Sequence, residues 1–405
     1  MDTQENRKLI ERTLHKYQLC DSCLGRLFRY GEKGIINKKR GELIRDILNL
    51  DKKVSPEDCW LCEGLFNEID LFANLISKEL KRYEFNTFLV GSKIDDDILE
   101  KEQELLDFTK SDSVEPIKME INREVGKILE KKLQKQVDFE NPDIIAIIDT
   151  AFNVVTLQIK SLFIYGRYKK FERGIPQTKW PCRICRGKGC RACNYNGKMY
   201  QTSVEELISK KALEITKGDN VSFHGSGRED IDALMLGNGR PFILEIKNPK
   251  IRTIDLFLLE KKINNYAKGK IEISNLRISD KNEVTRIKKA EFRKRYRIVF
   301  EGEKPLSQEK LKEVAKILRG KTIKQLTPTR VAHRRANKVR EKKIYNCKIE
   351  SVEGSIAKLT VETESGTYLK ELISGDDGKT TPNISEMIGI PCKVTELDVI
   401  EIKGE

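Results

Sequence analysis

His224-Gly225-Ser226-Gly227-Arg228-Glu229-Asp230-Ile231-Asp232-Ala233-Leu234-Met235-Leu236-Gly237 sets an arginine two residues ahead of an aspartate. The pair follows a glycine-broken turn and stands just before an apolar run, so Arg228 and Asp230 are expected to work side by side. A carboxylate held beside a guanidinium keeps its charge and can act as a nucleophile or a base. Such pairs are also commonly structural, so the rest of the chain has to decide. Glu229 and Asp232 are expected to be turn or surface groups.

At 405 residues the chain is long enough for two or three domains with their own cores. Its longest aliphatic run, Ile144-Ile145-Ala146-Ile147-Ile148, is too short to span a bilayer. Met1-Asp2-Thr3-Gln4-Glu5-Asn6 is polar and lacks the apolar core of an export signal, so a cytoplasmic protein without a membrane partner is expected. Lys and Arg number 77 against 63 Asp and Glu, a net charge of +14. A Lys- and Glu-rich thermophile surface would explain the charge content. It does not explain the sign, which favours a polyanion such as nucleic acid.

Eight of the 10 cysteines fall in C-x-x-C pairs: Cys20/Cys23, Cys59/Cys62, Cys182/Cys185 and Cys190/Cys193. Each pair places two thiolates on one tetrahedral face, and two pairs complete a structural zinc site. Gly187 and Gly189 let the loop from Cys182 to Cys193 double back on itself. A C-x-x-C-x-G-x-G knuckle also resembles the zinc module of DnaJ-type chaperones. Only one such unit is present, without the His-Pro-Asp of a J-domain. Zinc is expected at both sets, with iron–sulfur the alternative for the N-terminal one. Cys347 and Cys392 read as core residues.

Helical periodicity marks Leu9-Ile10 with Leu14, Leu43-Ile44 with Ile47-Leu48, residues 65–82 and residues 117–136. Strands are expected over 87–94, 144–148, 154–159 and 162–168. These form an accessory α/β domain over 1–170, followed by a basic, cysteine-bearing loop over 171–203. Residues 204–405 begin with a helix at Val204. Strands such as 241–246, 296–300 and 357–361 then suggest a largely antiparallel sheet flanked by helices. The three histidines, His15, His224 and His333, are scattered and read as structural.

Three regions of the C-terminal half carry unusual residues. Besides the Arg-x-Asp turn, there is an arginine-dense loop, Thr327-Pro328-Thr329-Arg330-Val331-Ala332-His333-Arg334-Arg335-Ala336-Asn337-Lys338-Val339-Arg340. The third is Gly366-Thr367-Tyr368-Leu369-Lys370-Glu371-Leu372, followed by a Gly/Asp loop to Asn383. The arginine-dense loop is suited to phosphate contact through Arg330, Arg334, Arg335, Lys338 and Arg340.

Together these regions resemble pseudouridine synthases, specifically the Pus10 family of archaeal and eukaryotic tRNA enzymes. Gly227 to Phe242 resembles the family's catalytic segment. Gly166-Arg167-Tyr168-Lys169-Lys170 and Arg173-Gly174-Ile175-Pro176-Gln177-Thr178 resemble the end of its THUMP-containing accessory domain. The resemblance covers essentially the whole chain, and the compact cysteine loop is similar to the archaeal version.

The resemblance implies an α/β (α+β) protein: a zinc-binding, THUMP-containing accessory domain, then a pseudouridine synthase fold with a mixed, mainly antiparallel sheet. It implies isomerisation of uridines 54 and 55 in the tRNA T-loop, by a monomer needing structural zinc but no organic cofactor. Asp230 corresponds to the catalytic aspartate, and Arg228 to the residue that fills the gap left by the flipped uridine. Tyr368 and Tyr296 would contact the base, Lys370 would pair with Asp230, and Leu397 would form an apolar wall. The cysteine loop stands where the family has a forefinger loop, and 327–341 where it has a thumb loop. Ala336-Asn337 departs from the more acidic end that the resemblance implies there.

Two other classes compete. A THUMP-bearing thiolation or methylation enzyme would need a P-loop-like site or a glycine-rich strand–turn–helix, and neither occurs in the sequence. A non-catalytic zinc adaptor for RNA would bind without needing Asp230.

Overall fold

The computed structural model describes residues 4–28, 34–50, 53–110 and 114–404, and the side chain of Arg334 lies outside that description. The chain divides into two compact units, Met1–Lys160 and Ser161–Glu405.

In the first unit, helices α1 (Gln4–Lys16), α2 (Asp21–Leu27), α3 (Asn37–Leu48) and α4 (Ile69–Leu80) precede strand β1 (Thr87–Lys93). Helices α5 (Asp96–Thr109) and α6 (Ile117–Leu133) follow, then strands β2 (Gln136–Val137), β3 (Ile144–Asp149) and β4 (Val154–Ile159). The strands lie in the order β2-β1-β3-β4, with β1 parallel to both neighbours and β3–β4 an antiparallel hairpin. In β3, Ile144, Ala146 and Ile148 turn inward, as alternation over a half-buried strand requires. The expected helix over 117–136 stops at Leu133, where Gln134 takes the left-handed conformation that caps a helix.

Helices α2 and α3 touch backbone to backbone. A Cβ on Gly41 would stand 1.9 Å from the carbonyl oxygen of Asp21, and one on Gly25 1.9 Å from that of Asn37. Arg45 spans the same joint, donating through Nε to Asp21 at 2.6 Å.

The second unit is one ten-stranded sheet with helices against it. It contains β5 (Leu162–Lys170), α7 (Val204–Thr216), β6 (Asn220–Gly225), β7 (Leu234–Lys247), α8 (Leu256–Tyr266) and β8 (Ile271–Ser279). Next come α9 (Lys281–Lys289), β9 (Arg293–Gly302), α10 (Gln308–Leu318), β10 (Thr322–Gln325), β11 (Arg340–Glu353) and β12 (Ile356–Thr363). The chain closes with α11 (Leu369–Ser374), β13 (Thr380–Thr381), α12 (Ile384–Ile388) and β14 (Cys392–Lys403). The order is β13-β10-β11-β12-β9-β14-β7-β5-β8, with β6 also on β7. Only the short β14–β7 pairing is parallel, so the sheet is mixed and mainly antiparallel, as expected.

One expectation shifts. Residue order places strand 162–168 in the accessory domain, with a boundary near 170. It is β5, which pairs with β7 on one side and β8 on the other. It is buried on both faces along nearly its whole length, and its apolar start says nothing about which sheet the strand joins. Cys347 and Cys392 are buried in the core around β9–β12, as expected. No helix among the described residues is long and apolar enough to cross a membrane.

The α2–α3 joint makes a clear prediction. Gly41→Ala forces the two backbones apart and destabilises the N-terminal unit by about 1–3 kcal/mol, the usual range for overpacking. A thermal melt of the full chain indistinguishable from wild type would contradict it.

Candidate active site

The loop 226–233 joins β6 to β7 and is held from below. Glu229 and Arg240 form an ion pair at 2.8 Å, with both side chains 1% exposed. Tyr168 of β5 donates its hydroxyl to Glu229 at 2.9 Å, and Arg240 donates through Nη1 to the Ser226 carbonyl at 2.8 Å. Glu229 is therefore a buried anchor, not the turn or surface group expected from its polar neighbours. Asp232 is exposed, as expected.

Backbone contacts hold the rest of the loop. Gln177 donates to the Gly227 carbonyl and to the Tyr168 hydroxyl, both at 2.9 Å. The fully buried Lys170 ammonium donates to the carbonyls of Ile175, Ile231 and Asp230 at 2.9, 3.2 and 3.4 Å. Burial pushes the Lys170 pKa down. Arg173 donates to the Asp232 carbonyl at 2.6 Å and pairs with Asp398 at 2.8 Å. These bonds leave Asp230 little backbone freedom while its carboxylate stays partly exposed.

Two cations reach that carboxylate. Lys370 Nζ lies 3.5 Å from Asp230 Oδ2 and 3.0 Å from Asp232 Oδ2. Arg330 Nη1 lies 3.6 Å from Asp230 Oδ2, while its Nε holds Glu371 at 2.7 Å. Lys370 is thus near Asp230 as expected, but it is shared with Asp232. Burial works against the Asp232 carboxylate, yet the Lys370 hydrogen bond and charge leave its pKa lowered. Arg330, expected in the RNA-binding set, is instead committed to Glu371 and Asp230.

Arg228 is not the guanidinium beside Asp230. It is exposed, and its guanidinium carbon sits 5.4 Å from the centroid of the Trp180 ring. Trp180 in turn meets Tyr200 edge-on at 5.8 Å, at the neck of the cysteine loop. No carboxylate pairs with Arg228 among the described residues.

Tyr296 lies in β9 opposite Val361 and Val399. Burial pushes its phenol up to about 12; Arg240 opposes this, while Asp230 and Glu229 add to it. Tyr296 therefore stays protonated and lies within the electrostatic reach of Asp230. Tyr368 caps α11 and is fixed by Gln325, which accepts from its amide and donates to its carbonyl, both at 2.8 Å. Its ring faces Arg340 at 6.0 Å. Leu397 in β14 registers with Ile298 and packs against the β9–β12 core. Arg340 also donates to Thr327 at 2.8 Å, and Arg335 and Lys338 are exposed. His224 pairs with Glu245 at 2.9 Å, consistent with a structural role.

Both cysteine sets converge, the sulfurs of each lying within 4.8 Å of one another. Sulfur pairs stand at 3.8 Å for Cys20/Cys62, 3.9 Å for Cys182/Cys190, 3.8 Å for Cys185/Cys193 and 3.7 Å for Cys190/Cys193. A tetrahedron with metal–sulfur bonds of about 2.3 Å has edges of about 3.8 Å, so both sets fit zinc. Amides of Gly189, Cys190 and Gly197 point at sulfur in the second set. Burial pushes the Cys193 thiol up, but the amides of Cys190 and Gly197, together with the Cys190 and Cys185 sulfurs, more than offset it and leave the group at about 6. The second set would stiffen the loop 171–203.

The fold class is an α+β protein with two cysteine clusters and two mixed sheets, the larger of which carries a carboxylate loop beside two cations. Residues 163–403 match the family profile described as Pus10, C-terminal, and residues 72–149 match Pus10 THUMP domain, archaeal. Proteins named tRNA pseudouridine synthase Pus10 are similar over nearly their whole length. That of Methanothermobacter marburgensis is 42% identical over 99% of this chain and 99% of its own. That of Methanocaldococcus jannaschii is 41% identical over 99% and 95%, and that of Methanothrix thermoacetophila 40% over 97% and 93%. The chain belongs to the Pus10 family.

Two predictions follow from this geometry. Glu229→Ala strands the Arg240 charge in the interior and costs about 3–5 kcal/mol in denaturant unfolding, as broken buried pairs do; a loss below about 1 kcal/mol would sink the anchor. Metal analysis of the full chain gives about two zinc ions, and Cys193→Ser removes one while the other stays.

Proposed function

We propose that this protein is an RNA pseudouridine synthase that isomerises uridines 54 and 55 in the T-loop of tRNA. The observation that carries the reading is Asp230, a partly exposed carboxylate on a clamped loop, the one there with Lys370 and Arg330 both within 4 Å. Family membership and the net charge of +14 support RNA as the substrate.

The reaction breaks the N1–C1′ bond, turns the uracil and joins C5 to C1′. The proton then lost from C5 balances the one gained at N1. Nothing is oxidised and no group donor enters, so a carboxylate can suffice without an organic cofactor. Asp230 either attacks C1′ or takes the C2′ proton to give a glycal. In both cases Lys370 and Arg330 lie beside the reacting carboxylate, within 4 Å of it. Arg228 fills the space of the flipped nucleotide, which requires it to leave Trp180. Tyr368 and Tyr296 contact the base, and Leu397 helps exclude water from the intermediate. Arg335, Lys338 and Arg340 hold RNA phosphates. Zinc at the two cysteine sets serves structure, not the bond changes.

The test is to incubate the protein with an unmodified tRNA transcript and map pseudouridine. Wild type forms it, and Asp230→Asn does not, although it still binds the transcript. Full activity in Asp230→Asn would remove the site assignment. Binding without any product in wild type would favour the RNA adaptor. Separately, Arg335→Ala and Lys338→Ala each lower the slope of log affinity against log salt by about 1. An unchanged slope would exclude that residue from phosphate contact.

A further inference from the structure

We infer that the open face of Gly227 is an anion site, where Lys294 and Arg240 hold one phosphate of the bound RNA. The two cations come from different strands, Lys294 from β9 and Arg240 from β7. Both are buried, at 7% and 1% exposure. Gly227 itself is exposed and takes a left-handed φ of 72°. A Cβ built on it would stand 3.2 Å from Lys294 Nζ and 3.4 Å from Arg240 Nη1. Apart from the glycine's own chain neighbours, no other heavy atom would come within 4 Å. The missing side chain thus leaves a notch whose walls are two positive groups.

The local charges do not balance. Arg240 is matched by Glu229 at 2.8 Å. Among the described residues Lys294 has no carboxylate within ion-pair distance; its hydrogen bond is a long one, 3.5 Å to Ser365 Oγ. Its cross-strand neighbours, Thr363 and Ile402, carry no charge, and Tyr296 on its own strand stays a neutral phenol. An ammonium buried this way is costly unless an anion arrives. Burial, then the nearby Arg240, push Lys294 down to about 7, with Glu229 opposing. An oxyanion in the notch reverses that shift and favours the charged amine. A phosphodiester fits this chemistry, because its oxygens accept from an ammonium and a guanidinium together. The notch adjoins Arg228, so the phosphate belongs to the nucleotides flanking the flipped uridine. This choice of anion rests on the proposed RNA substrate.

The sign is fixed by the amine. Above pH 7 the free protein holds Lys294 largely neutral, and binding protonates it. Near pH 6 it is already protonated, and binding takes up nothing there. The experiment is calorimetric titration of the full chain with unmodified tRNA transcript at pH 8, in two buffers of different ionisation enthalpy. Wild type takes up about one proton more than Lys294→Met, and the difference vanishes at pH 6. Lys294→Met also lowers the salt slope by about 1. Gly227→Ala keeps the lysine but fills the notch, and loses the same uptake. Thermal melts establish that both variants are folded; should Lys294→Met not fold, Gly227→Ala decides alone. Equal proton uptake by wild type and the folded variants overturns the anion site and leaves the RNA reading intact. Uptake driven by inorganic phosphate but not by tRNA overturns the assignment to RNA. A wild-type protein that does not bind tRNA removes the functional reading, and this site with it.

Discussion

A glutamate and an arginine, both shut away from water, hold the C-terminal unit's chemistry in place. Glu229 sits between the two residues that gave the loop its interest, and it points the opposite way. Its carboxylate takes the Arg240 guanidinium and the Tyr168 hydroxyl, which ties the loop to β7 and β5 at once. A buried pair of this kind gives little net stability over an apolar substitute, because desolvation offsets most of the attraction. What it supplies here is direction. With Glu229 pulled down, its neighbour Asp230 is turned outward toward Lys370 and Arg330.

Around that anchor the protein keeps two kinds of cation. Lys370 and Arg330 lie at the open side, where solvent screens them and ligands meet them. Lys170 and Lys294 lie beneath, buried, with fewer charged partners than they could use. Asp230 thus has two cationic neighbours and no single short ion pair.

Some of this was legible from residue order. Zinc clusters depend on local spacing, so the C-x-x-C pairs announced themselves, and the structure brings each set of four sulfurs together. Helix α4 and strands β1 and β3 followed from periodicity alone. The guanidinium beside Asp230 did not: proximity in sequence pointed to Arg228, whereas the chain folds Arg330 into that position from a distant loop. Glu229 gave no sign of burial, because a glutamate between an arginine and an aspartate looks solvated. Lys294, in Arg293-Lys294-Arg295, looks equally like a wet charged face. Strand alternation turns every second residue inward, but one sequence does not say that an inward position will be a lysine. Buried charge is set by tertiary partners, and those leave no local trace.

Strand β5 has a consequence for the order of events during synthesis. It is the first segment of its unit to leave the ribosome, yet both of its neighbours, β7 and β8, lie far downstream. Until those are made, a mostly buried nine-residue strand has nothing to pair with. The whole cysteine loop emerges in the interval. A nascent chain therefore carries an unpaired, apolar edge for the time it takes to translate the loop, α7 and β6, which is a window for misassociation. A metal bound by the four cysteines of the loop would shorten the disordered chain between β5 and its partners, and so reduce the entropy lost when they meet.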